Sequence, residues 1–424
     1  MKRLMTAPFV VICALVLVVS SAVAEPAQSK QSKTECDSGK QGQSYSFKFS
    51  GYFKADLIYD RARVTSGNYA IKVLEGSEND VMNITAREMR LGIDFLWKER
   101  GICTDAKLEF DFYGLGAQPS GLNTMENKAA PMLRHAYLKI TKCNWSLLAG
   151  QTSDVISPLV PATVNYTVCW AQGNIGYRRP QFQVSTWANI GERSKLLATV
   201  AAARTLGHDL DGHGIDDGAD AAVPTVQGRI GFESTFGESG FANLGVSGHY
   251  GREEATLTDT LGSRIHKLES WSFNADLKLS LTRRVVISGE FFVGQNLGTY
   301  FGGVLQDINL LQSEIGARGG WGMVSVKPAE RLTFNAGYSF DDPDKGDFAI
   351  PEESAYSFID MNSALFGNIT FSVTDNVTAM LETMYLKTTY LRLPPTSGAF
   401  VSEEADDVDY DDIRVQFALK AAIK

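Results

Sequence analysis

The sequence predicts an all-β protein: a 16-stranded antiparallel transmembrane β-barrel over residues 45–424, with short periplasmic turns and long extracellular loops. Three observations carry this expectation. Apolar residues recur with a period of two from Tyr45 onward. No stretch after residue 24 offers the roughly 18 consecutive apolar residues of a membrane helix. The polar breaks between alternating segments are short and long by turns. The chain has 424 residues, 44% of them hydrophobic, with 23 Phe, 15 Tyr and 6 Trp. That composition is too apolar for a disordered protein.

At the start of the chain, Lys2 and Arg3 precede an apolar run from Phe9 to Val19, and Ala22-Val23-Ala24 stands before Glu25. This pattern reads as a cleaved export signal over residues 1–24, followed by a periplasmic tail over 25–44. Cys13 follows Val10, Val11 and Ile12 rather than small residues, so a lipid anchor is not expected. Without the signal, 38 Lys and Arg face 49 Asp and Glu, since Lys2 and Arg3 leave a total of 40. A net acidic chain of this kind argues against nucleic acid as a partner.

The strands follow in order. The first carries Phe47, Phe49, Phe53, Ala55, Leu57 and Tyr59 on one face. Ser270 to Leu281 alternates Trp271, Phe273, Ala275, Leu277, Leu279 and Leu281 with polar residues, and the final segment sets Val415, Phe417, Leu419, Ala421 and Ile423 against Arg414, Gln416 and Lys420. Seven short turns are expected at 98–103, 142–144, 191–194, 237–240, 282–284, 328–331 and 374–376. Eight long loops are expected at 61–83, 116–131, 152–175, 205–224, 251–264, 300–311, 342–353 and 394–405. Together they define sixteen strands, an even number that lets the first and last meet and close the sheet. A soluble sandwich shares the alternation, but about 380 residues of uninterrupted hairpins suit a membrane barrel better. Trp97, Trp145, Trp187, Tyr250 and Trp271 stand near strand ends, where interfacial aromatic girdles form.

Several segments carry a family likeness: Thr85-Ala-Arg-Glu-Met-Arg-Leu-Gly92, Leu108-Glu-Phe-Asp-Phe-Tyr-Gly114, Leu133-Arg-His-Ala-Tyr-Leu138, Gly150-Gln151, Arg178-Arg-Pro-Gln181, Gly289-Glu-Phe-Phe-Val-Gly-Gln-Asn-Leu297, Arg318-Gly-Gly-Trp-Gly322 and Phe334-Asn-Ala-Gly-Tyr338 leading into Asp341-Asp-Pro343. In order and spacing they resemble the DcaP-like porins, bacterial outer-membrane channels for dicarboxylates and related small anions. The resemblance implies the outer membrane of a Gram-negative bacterium and a homotrimer, with outer-membrane lipid, lipopolysaccharide and small-molecule solutes as partners.

If the apolar parity faces lipid, the other parity lines the lumen. The expected lining is Lys54, Arg90, His135, Lys139, Arg229, Glu290 and Arg318, with Arg178 and Arg179 at the mouth. Opposed rows of cations and carboxylates in a narrow channel give ion selectivity, and Arg pairs carboxylates bidentately. The third loop, 152–175, has Asp154 as its sole ionisable acid, no Lys or Arg, and Pro158, Pro161, Tyr166 and Trp170, and is the expected constriction. The functional expectation is passive diffusion of small, carboxylate-type anions with no cofactor required. The alternative is a structural or surface-interaction barrel whose acidic loops bind divalent cations. There is no His-Glu-x-x-His and no Gly-x-Ser-x-Gly, so no enzyme is expected.

The fourth loop places Asp209, Asp211, Asp217 and Asp220 at positions 1, 3, 9 and 12 of a calcium-loop spacing, with Gly214 at position 6 and His213 at position 5. Either a calcium ion or a plain solvated acidic loop accounts for it. Cys103 and Cys143 flank adjacent strands at one rim and are expected to form a disulfide, which leaves Cys36 and Cys169.

Overall fold

The computed structural model describes residues 44–65, 69–114, 129–259, 262–395 and 406–423. The expected export signal and tail lie outside these residues, as do most of the second and eighth loops. Seventeen strands form one antiparallel sheet. They are β1 (Ser44–Asp60), β2 (Val81–Thr85), β3 (Arg90–Glu99), β4 (Ile102–Gly114), β5 (Ala130–Lys142), β6 (Trp145–Ser153), β7 (Arg178–Ile190), β8 (Ser194–Ala203) and β9 (Thr225–Phe236). The remainder are β10 (Gly240–Asp259), β11 (Gly262–Ser280), β12 (Val285–Gln295), β13 (Gly316–Ala329), β14 (Leu332–Pro343), β15 (Tyr356–Ser372), β16 (Val377–Leu393) and β17 (Asp406–Ile423).

β1 pairs with β17 from Gly51 opposite Ile423 to Asp60 opposite Arg414, which closes the barrel and leaves no unpaired edge. Both β2 and β3 lie along the other side of β1, with Asp56 opposite Thr85 and Tyr52 opposite Arg90. They are one stave broken by a turn, in which Met89 N–H donates to Ala86 O at 3.0 Å. Seventeen strands therefore make sixteen staves, the predicted number. Among the described residues, no helix is long and apolar enough to cross a membrane.

The period-two pattern decides which face is which. Phe49 is 62% exposed on the outside, and Phe47, Phe53, Leu57, Phe273, Phe417 and Leu419 share that face, whereas Asp56, at 2%, and Lys54, Asn274, Asp276 and Gln416 are buried inside. Apolar side chains outside and polar ones within invert the soluble pattern, as a lipid surround requires. The seven short turns fall where expected. In the first, Arg100 and Gly101 have φ values of 51° and 73°, the left-handed pair that matches strand twist in a two-residue hairpin.

The expected fifth loop, 251–264, is instead mostly strand. β10 runs to Asp259 and β11 starts at Gly262, with residues paired from Gly251 opposite Ser270 outward, so this hairpin projects beyond the barrel. One of its faces is covered, with Glu253, Ala255 and Leu268 buried, so its polar residues lie on a regular strand rather than an irregular backbone.

The disulfide expectation also fails. Cys103 is disulfide-bonded, but Cys143 is free and exposed, and Cys169 is free and buried. On β4, Cys103 shares the inward parity of Lys107 and Glu109 and stands opposite Thr141, two residues short of Cys143. Cys143 lies in the turn with φ of 51°, outside the ladder. Of the two cysteines left over, Cys169 is free and Cys36 lies outside the described residues.

Candidate functional site

The inner face of β1 and β3–β7 carries a rising series of half-buried cations. Near the turn side, Lys139 stands opposite Asp105 in the ladder. Lys107 pairs with Asp94 and with Glu109, each at 3.2 Å. Above it, Arg90 holds its Nε 3.7 Å from Glu109 and its guanidinium over the Tyr52 ring at 5.2 Å. Arg87 stacks over Tyr113 at 4.8 Å, and Lys420 over Tyr52 at 3.7 Å.

On β5 the alternation breaks. Its register shifts between Glu109–His135 and Phe110–Leu133, and the bulge turns two consecutive residues, Arg134 and His135, inwards. Arg134 bonds Asp111 at 2.7 Å and Glu109 at 3.1 Å, and His135 Nδ1 lies 3.0 Å from Thr152 Oγ1. Arg134 was not expected in the lumen, because strict parity puts it on the lipid face and only the bulge brings it in.

Residues 154–177, the third loop, cross the barrel interior and are suspended by their backbone. Glu290 accepts from Leu159 N–H at 2.7 Å, and Glu382 accepts from Val164 and Asn165 N–H at 2.7 and 3.0 Å. Asn368 donates to Ala162 O and Asn362 to Ala171 O. On the opposite side Lys54 donates to Val164 O at 2.8 Å while paired with Asp56 and Glu88. The first loop joins the third through Gln172, which donates to Ala70 O and Ile71 O. Burial pushes the Cys169 thiol of the third loop up to about 12.

Where the third loop meets the mouth, aromatic rings gather. Tyr166 stacks on Tyr113 at 3.8 Å and Trp170 on Phe301 at 4.7 Å, with Tyr177 4.8 Å from Phe301. Arg178 lies against this cluster, 4.3 Å from the Tyr177 centroid and 5.8 Å from that of Trp170. It is 8% exposed, and its Nε and Nη2 have no hydrogen-bond partner among the described residues. Those two atoms form the edge of the guanidinium that grips a carboxylate side-on.

Other expected lining residues are occupied by the wall. Arg179 pairs with Asp154 at 2.8 Å, donates to Thr299 O and lies 3.8 Å over Tyr300. Arg229 forks onto Asp276 at 2.9 and 2.5 Å, and Glu290 anchors the third loop. Arg318 is not in the lumen. Its side chain is 67% exposed and pairs with Asp342 at 2.8 Å, while Ala317, Trp321 and Met323 take the inward parity. Trp321 and Met323 face in because the third loop supplies an apolar surface for them to pack on, through Cys169.

With its sixteen staves, inward polar parity and loop folded into the interior, the chain has the barrel of solved outer-membrane channels. The chain is similar to the outer-membrane channel DcaP of Acinetobacter baumannii, with 18% identity and a TM-score of 0.65 over 89% of this chain and 97% of that one. The fold is a porin fold. It is also similar to an anion-selective porin from Comamonas acidovorans, with 11% identity and a TM-score of 0.52 over 90% of this chain and 100% of that one. The trimer form of the Vibrio cholerae outer-membrane protein OmpT matches at 11% identity and a TM-score of 0.51, over 89% and 99% of the two chains. No protein-family model matches the chain, and no curated protein does. The porin fold agrees with the DcaP-like resemblance read from the sequence.

Above the barrel, the fourth loop gathers its acids around His213. The imidazole Nδ1 lies 2.9 Å from Asp211 and 3.3 Å from Asp209, and its Nε2 lies 3.0 Å from Asp220. The hydrogen bond to Asp209, followed by the other two charges, holds His213 above the usual imidazole range. Next to it, His208 bridges Asp307 and Glu253, and those bonds push it up to about 10.

Proposed function

We propose that this protein is an outer-membrane porin that passes small, carboxylate-type anions by passive diffusion. The observation that carries the reading is the row of partly exposed cations Arg90, Lys107 and Lys139 on one wall of the lumen, below Arg178, whose side-on edge is unpaired among the described residues and buried against the mouth aromatics. A carboxylate entering the lumen meets these cations in turn, and a shift of the aromatic cover would let it take the charge-assisted fork of Arg178. Export through a cleaved signal, a homotrimeric assembly and contact with lipopolysaccharide belong to the same reading. No catalytic step or cofactor is part of it.

Solute uptake into proteoliposomes tests it. Succinate is expected to enter faster than a neutral solute of equal size, and Arg178→Gln to remove most of that advantage. Equal rates for the two solutes in the wild type would overturn the anion reading. The packed interior, where Ala62, Val64, Cys169, Trp321 and Met384 form one apolar cluster, favours the alternative of a structural barrel that conducts little. Absence of any uptake would select that alternative.

A further inference from the structure

We propose that the fourth outer loop binds one calcium ion through the carboxylates of Asp209, Asp211, Asp217 and Asp220. The spacing of these acids is only the starting point, because acidic loops on a solvated surface are common. The deciding feature is Asp217. It opens the short helix α1 (Asp217–Asp220), is completely buried, and has an Oδ1 with no hydrogen-bond partner among the described residues, while its Oδ2 accepts from Leu210 N–H at 3.0 Å. A buried carboxylate oxygen left without donor or counter-charge is costly unless a cation completes it.

Two neighbouring carboxylates gather with Asp217, and Asp209 joins them through Asp211. Ligand oxygens of Asp211, Asp217 and Asp220 lie within 4.8 Å of one another, and a second group joins Asp209 and Asp211 to His213. Like charges this close repel without a cation between them. The backbone already holds the outer oxygens: Asp209 Oδ2 accepts from Gly214 N–H at 3.1 Å and Asp211 Oδ2 from Thr256 N–H at 3.2 Å. The remaining Oδ1 atoms of Asp209 and Asp211 are the ones that His213 contacts, at 3.3 and 2.9 Å. One imidazole thus stands where three carboxylates call for positive charge. Gly212 and Gly214, with φ of 71° and 87°, make the tight turn that bends these oxygens inward.

Four carboxylates form a hard oxygen set suited to calcium, which takes 6–8 oxygens at about 2.3–2.6 Å, better than to zinc, which favours nitrogen and sulfur. The loop is tied to the barrel through Thr256 of β10 and through His208, whose N–H donates to Glu253 at 2.8 Å, so calcium would fasten the loop to the projecting β10–β11 hairpin.

The test is calorimetric titration of EDTA-stripped, refolded full-length protein in detergent with calcium chloride. One saturable site per chain is expected. Asp217→Asn and Asp211→Asn should each weaken it at least ten-fold, and His213→Ala should retain it. Heat-modifiable migration on gels confirms that each variant has a folded barrel. No saturable calcium site in the wild type would overturn the proposal, as would unchanged affinity in folded Asp217→Asn. A site that takes zinc in preference to calcium and disappears in His213→Ala would overturn it too.

Discussion

The two walls of the barrel use their charges differently. On β1 and β3–β7, Arg90 and Lys107 keep 24% and 18% of their side chains exposed, and Arg178 keeps a buried edge with no hydrogen-bond partner among the described residues. On β12–β17, Glu290, Asp341, Glu382 and Asp412 are buried and accept backbone N–H groups of the third, sixth and first loops. One wall leaves cations partly exposed in the lumen; the other uses its carboxylates to hold the loops. The far wall's inward acids accept loop N–H groups, and on the proposed reading this leaves the near wall's cations to govern the passage of a net acidic chain. Acids at the outer rim are screened beyond about 8 Å at physiological salt.

The largest expected effect comes from cutting the anchors. Glu290→Ala with Glu382→Ala removes the acceptors for three loop N–H groups, each buried donor left unpaired costing about 1–3 kcal/mol. The third loop should detach and single-channel conductance rise several-fold. An unchanged conductance would mean that this loop does not limit flow. The next effect sharpens the contrast within the arginines. Arg178→Gln should lower succinate block of the current about ten-fold, the scale of one charge-assisted fork. Arg229→Gln, which breaks the buried Asp276 pair between β9 and β11, should leave succinate block unchanged and reduce thermal stability.

A smaller and qualitative effect concerns thiols. Exposed Cys143 should label with a polar maleimide, while Cys169 in the third loop should not. A free thiol gains reactivity as pH rises through about 8.5. Cys169, pushed up to about 12, should stay protonated and unlabelled at pH 9 until the barrel is unfolded. Labelling of Cys169 in the folded protein would show that the loop packing is wrong. Arg318→Ala should do least, because that side chain lies on the outer face with Asp342, and any shift in ion selectivity would contradict its placement.

The barrel was legible because its rule is simple: lipid outside forces a period of two, as in Phe53, Ala55 and Leu57 against Lys54 and Asp56. Sixteen staves and the seven turns followed from it. The lining was less legible, since parity gives direction and not partner. Lys54, Arg179 and Glu290 do face inward, yet their charges are satisfied by Glu88, Asp154 and the third loop, all distant in sequence. Arg134 was hidden by a bulge that no residue pattern marks. Arg318 was misplaced because Trp321 and Met323 look lipid-facing until a loop folds inside to cover them. Cys143 is no partner for Cys103 because it is a turn residue outside the ladder.

The reversal potential of single channels in a potassium chloride gradient tests the central claim most directly. The account predicts a potential on the chloride side, reduced in Arg178→Gln. A potential on the potassium side would mean that the acidic wall, not the basic one, governs the passage, and would contradict the account.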